Sequence, residues 1–175
     1  MKHKIKILFF ILFFLPIITF GQRRTASMYL KSGYGYYQGI HIGAGYFYDM
    51  DYRLGFSLGS DFGLPSLEYK TQYNISIENA IHFGWRRKFI TKPWIFGQQA
   101  MYWVEGNDSV KWRILSASMT VGRIFAITHN VGLSFEAGPS YNTIIDVVNS
   151  PEDTVESWMW PVMFNWRIQL VYMFR

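Results

Sequence analysis

Three side chains in this sequence have the chemical types needed for acyl transfer: His41, Ser60 and Asp61. An imidazole, a hydroxyl and a carboxylate within reach of one another supply the base, the nucleophile and the orienting group. His41 begins one alternating stretch, and Ser60 and Asp61 end the next, so all three fall near one rim. Against this, Arg53, Glu136 and Arg167 would place charge inside any compartment built to hold an acyl chain. His41, His82 and His129 are scattered, without the paired spacing of a metal site. Cysteine is absent, so there is neither a disulfide frame nor a thiolate metal site. The residues point to a chain with no catalytic residues, no metal and no cofactor; acyl transfer is the alternative.

The elements that would position these groups are read best from the C-terminus. Phe164, Trp166, Ile168, Leu170, Tyr172 and Phe174 alternate with Asn165, Arg167, Gln169, Val171, Met173 and Arg175. Side chains alternate across a strand, so one face is wholly apolar and the other mostly polar. The run exceeds an ordinary strand of about 5–6 residues and matches the roughly 9–11 tilted residues that cross a bilayer. Seven earlier stretches follow the same rule: Met28–Tyr37, Ile40–Tyr48, Tyr52–Phe62, Asn74–Arg86, Trp94–Glu105, Lys111–Phe125 and Val131–Tyr141. Gln98 and Gln99 leave the facing of the fifth undecided, and the sixth loses its alternation near Ile114, which suggests a bulge or the membrane rim. Residues Gly63–Tyr73 and Asn142–Met159 read as the longer loops, and the connections after strands two, four and six read as short.

Eight strands, alternately apolar and polar, predict an all-β, membrane-spanning, antiparallel up-and-down barrel. An even strand count is what single-chain bacterial barrels of this kind have, and closure removes the edges that lipid would not tolerate. Aromatic residues make up 19% of the chain, in keeping with aromatic girdles at two lipid interfaces. Lys2, Lys4 and Lys6 precede the apolar run Ile7–Thr19, and Gly21 offers a small residue for cleavage, so residues 1–21 read as a secretory signal peptide and 22–175 as the barrel. Cleavage after Ala26 is the second choice. Without those three lysines the formal charge falls from +5 to +2, which gives no argument for nucleic acid.

Over nearly all the mature chain the pattern resembles the small eight-stranded outer-membrane proteins of the OmpX and OmpA transmembrane-domain type. That resemblance implies the outer membrane of a Gram-negative cell, with lipid and lipopolysaccharide around the barrel and both chain termini in the periplasm. It also implies that Trp166, Tyr172 and Phe174 form the C-terminal signal read by the barrel-insertion machinery, although Arg175 stands where that signal usually ends in an aromatic residue. The inward faces carry Lys31, Arg53, Glu78, Arg86, Glu136 and Arg167 among Gly and Ser. A barrel of eight strands is just wide enough to be filled by such side chains, and buried opposite charges must pair. A polar plug is expected, and with it a structural or interaction role, including accessory subunit of a larger outer-membrane complex. The enzymatic alternative resembles PagP-type acyl modification of lipid A, whose apolar interior this chain does not share.

Overall fold

Alternation carries directly into structure. The computed structural model describes residues 26–48, 51–61, 70–85, 91–106, 111–148 and 161–174. They form β1 (Ala26–Gly35), β2 (Gly39–Tyr48), β3 (Tyr52–Ser60), β4 (Lys70–Phe83), β5 (Trp94–Gly106), β6 (Lys111–Ala126), β7 (Val131–Val148) and β8 (Val162–Met173). Consecutive strands pair antiparallel, and β1 closes on β8 with Tyr29 opposite Met173 and Gly35 opposite Arg167. The chain is an eight-stranded, closed, up-and-down barrel. One end, here the terminal end, carries the start of β1 and the finish of β8; the other is the distal end.

Several boundaries differ from the sequence reading. β1 stops at Gly35, and Tyr36–Gln38 make the turn, because Gly39 adopts a φ of 59°. That value suits glycine, and a Cβ there would strike the Asp61 carboxylate. β4 starts at Lys70 inside the expected loop, and stops at Phe83 where Gly84 turns at a φ of 96°. β7 continues through Val148 instead of ending at Tyr141, because residues 142–148 pair with β6. Five of the six residues in Thr143–Val148 are β-branched, which favours a strand. The irregularity expected on β6 belongs to β7: Arg113 faces Asp146 and Ile114 faces Ile144, so Ile145 is the extra residue. β6 itself keeps alternating, with Trp112, Ile114 and Ser116 buried. The β4–β5 connection runs from residue 84 to 93, so the connections after the even strands are not all short. The expected signal peptide, the acidic segment Glu152–Glu156, and Arg86, Arg87 and Lys88 lie outside the described residues.

The outer wall is apolar around the whole circumference. Leu30, Ile42, Phe56, Ile77, Leu115, Phe135 and Ile168 all project outward and are exposed. A soluble monomer rarely exposes a contiguous apolar patch beyond a few hundred Å²; hydrocarbon is the solvent that suits this wall. Inside, two apolar clusters bracket a polar middle. Tyr29, Phe47, Ile95, Ile124 and Met173 pack at the terminal end, and Tyr37, Met101, Trp103, Trp112 and Ile114 at the distal end. Gln99 turns inward and Gln98 outward, which settles the facing of β5.

The wall gives a direct test. Replacing Ile168 with Arg should lower unfolding free energy in lipid vesicles by about 2–4 kcal/mol if this residue meets mid-bilayer lipid. Urea unfolding of the refolded barrel measures this, and a neutral effect would contradict the outward facing of β8.

Candidate functional site

The candidate site is the charged centre of the lumen. Inward alternation brings Lys31 from β1, Arg53 from β3, Glu78 from β4, Glu136 from β7 and Arg167 from β8 into one cluster. Glu78 lies at 2.6 Å from Lys31 Nζ, 3.4 Å from Arg53 Nε and 2.8 Å from Arg167 Nη1. Tyr29 donates its hydroxyl to Glu78 at 3.1 Å. Glu136 accepts from Arg53 Nη2 at 2.8 Å and from Arg167 Nη2 at 2.5 Å. Thr120 donates a further hydrogen bond to Glu136 at 3.2 Å. Each arginine bridges both carboxylates, so three cations and two anions form one connected unit. All five side chains are essentially inaccessible to solvent. Burying such charges is costly in isolation; mutual pairing offsets that cost only when every partner is present.

Small residues make room for the network. β5 contributes Gly97 beside it, where a Cβ would sit 3.1 Å from Glu136 Oε2. A Cβ on Gly55 would collide with the Tyr29 hydroxyl, so the glycine is what lets that tyrosine reach Glu78.

Above the charges, a neutral network fills the distal half. Gln38 folds in from the β1–β2 turn and donates to Ser76 at 3.2 Å, while Asn74 donates to the Gln38 carbonyl at 2.6 Å. Trp103 donates to Ser116, which donates to Asn142, both at 2.6 Å. Asn142 in turn donates to the Tyr37 hydroxyl at 3.3 Å. Burial pushes the Tyr37 hydroxyl up to about 12, so it stays neutral. Gln38 was legible in the sequence only as a turn residue; its inward role depends on the turn folding over the lumen. Asn142 fell in an expected loop, although its polar-inward alternation with Ser140 was a usable signal.

The acyl-transfer residues are not assembled. His41 is buried, with Nδ1 at 3.2 Å from the Gly39 carbonyl and Nε2 at 2.9 Å from Gln169 Nε2. The carbonyl can only accept, so Nδ1 donates and Nε2 accepts from the amide. Neither nitrogen is left to activate a nucleophile. Ser60 pairs with the outward Ile40 and shares its face, whereas His41 and Asp61 point inward. His82 is also inward, held to the Lys92 carbonyl and against the Phe47 ring. Arg86, assigned to the lumen by alternation, lies outside the described residues. Trp166, Tyr172 and Phe174 project outward from β8 or just beyond it, and Tyr172 packs edge-on against Phe174 with ring centroids 4.9 Å apart.

Removing one carboxylate should leave buried guanidinium groups unpaired. Glu136→Ala is expected to cost about 3–5 kcal/mol in urea unfolding. Arg113→Ala, which breaks the half-exposed 3.1 Å pair with Asp146, should cost less than about 1 kcal/mol. Equal effects would show that the lumen cluster does not hold the barrel together.

No family model matches the chain, and no curated protein does. Among solved structures, the chain is similar to Neisserial surface protein A (NspA), at 15% sequence identity and a TM-score of 0.44, over 87% of this chain and 98% of that one.

Proposed function

We propose that this chain is an integral outer-membrane protein without enzymatic activity, serving a structural or interaction role as an accessory subunit of a larger outer-membrane assembly. The observation that carries this reading is the combination of a lumen filled by an ion network with an outer wall that is apolar all round. A plugged centre leaves the wall and the two mouths as the surfaces available for function.

One feature of the wall supports contact with another membrane protein. A groove of about 490 Å³ runs over Ser32 and Ala44, walled by Leu30, Ile42, Phe56 and Leu170. Small residues in such a wall let a neighbouring backbone approach closely. Lipid and lipopolysaccharide would cover the rest, and the outward aromatics of β8 suit recognition by the barrel-insertion machinery. The acyl-transfer alternative has less support, because the lumen is charged and His41 has both nitrogens engaged.

Membrane fractionation followed by mild-detergent co-purification tests the proposal. Recovery with the outer membrane and a stoichiometric partner protein are the expected results. A protein found elsewhere, or strictly monomeric and partnerless in detergent, would sink it. Incubation with labelled phospholipid should give no acyl loss or transfer, and turnover abolished by His41→Ala would favour the enzyme instead.

A further inference from the structure

β6 carries two outward arginines, and only one of them has a counter-charge in the described protein. Arg113, near the distal end, lies at 3.1 Å from Asp146 of β7. Arg123, ten residues further along the same face, makes no ion pair with any described residue. Its guanidinium is instead held between two aromatic rings. Arg123 stands opposite Trp94 of β5. Its Cζ lies 5.1 Å from the Trp94 ring centroid and 5.2 Å from that of Phe125, its neighbour on the same face. Ring faces attract a cation, and all three side chains are exposed on the outer wall. The rings fix the guanidinium while leaving its N–H donors without an acceptor among the described residues.

Height on the wall says what those donors meet. Between the two arginines the outward face of β6 is Leu115, Ala117, Met119 and Val121, with no charge. Ten residues of strand run about 33 Å, and a tilt of about 40° turns that into roughly 25 Å along the barrel axis. The lipid-facing apolar band of such barrels is also about 25 Å tall, with aromatic residues at its borders. The two arginines therefore mark its edges, and Arg123 lies at the border nearer the terminal end. There hydrocarbon gives way to headgroups, and phosphate is the anion at that level. The planar guanidinium fork matches phosphate oxygens in pairs.

We propose that Arg123, clamped by Trp94 and Phe125, is a binding site for the headgroup phosphate of an anionic phospholipid in the leaflet next to the terminal end. The site rests on the bilayer-spanning reading of the barrel and adds a headgroup to it. A headgroup with net negative charge, such as phosphatidylglycerol, suits it better than a zwitterionic one. Arg123 brings a positive charge that no described carboxylate offsets, and the ammonium of phosphatidylethanolamine would be repelled by it.

The test uses the full chain refolded into vesicles of equal phosphatidylglycerol and phosphatidylethanolamine, then released in mild detergent for native mass spectrometry. The barrel should retain phosphatidylglycerol in preference to phosphatidylethanolamine. Arg123→Gln should lower that retention about fivefold, the effect of one cation near an anionic surface, whereas Arg113→Gln should leave it unchanged. Excess inorganic phosphate should not displace the lipid; displacement would assign the arginine to a free anion and overturn the lipid site. Equal retention of the two lipids by the unaltered protein, or unchanged retention in Arg123→Gln, overturns the site while leaving the barrel in the membrane. Loss of a co-purifying protein from Arg123→Gln, with lipid retention intact, would give the arginine to a protein partner instead. Failure to insert into the vesicles at all would overturn the bilayer reading, and the site with it. The comparison of the two lipids needs no variant and stands even where a substitution prevents folding.

Discussion

Glu78 is the residue on which the interior depends. It is contacted by Lys31, Arg53 and Arg167 from three other strands, and both arginines pass on to Glu136. An eight-stranded barrel encloses too little space for a channel and too much to leave empty. Filling it with long charged side chains is workable only if each charge meets its opposite. The pairing is therefore a demand on five strands at once, and it selects one register for the closure of β1 on β8. Slipping any of these strands by one residue would send its charge into the outer wall. That outcome is far less favourable than the pairing it replaces, so the network contributes to specificity as well as to stability.

The outer wall imposes the complementary constraint. Backbone groups facing hydrocarbon must be satisfied within the barrel, which the closed ladder provides. Pro139 is an informative exception on β7. It faces outward, pairs with Phe164 of β8, and has no ladder partner on β6. With no N–H to donate, it interrupts the β6–β7 pairing between Ser118–Ser140 and Val121–Ala137. The barrel tolerates this because β7 retains its pairing with β8 through the same stretch.

Plugging the lumen has consequences for function. Among the described residues the polar centre lies between two packed apolar clusters. The chemically distinct features are instead peripheral. The outer wall carries a groove over the small residues Ser32 and Ala44.

Alternation alone determined the architecture. Its period of two, repeated in stretches long enough to cross a bilayer, was enough to read eight strands, the outward face of β8, and the inward placement of Lys31, Arg53, Glu78, Glu136 and Arg167. Those readings are local: the pleat dictates the face whatever the neighbours are. Strand ends were less legible, because pairing with a long neighbour extends a strand past the point where its own sequence stops alternating; β7 runs on to Val148 beside Lys111 for this reason. The facing of β5 also needed its neighbours, since Gln98 and Gln99 are equally polar and only their partners distinguish them: Gln99 lies between Glu78 and Ser118, whereas Gln98 stands beside Met119. Which charge meets which and the inward fold of Gln38 depend on residues far apart in the chain. Strand register and closure decide them, and neither is written in any single stretch.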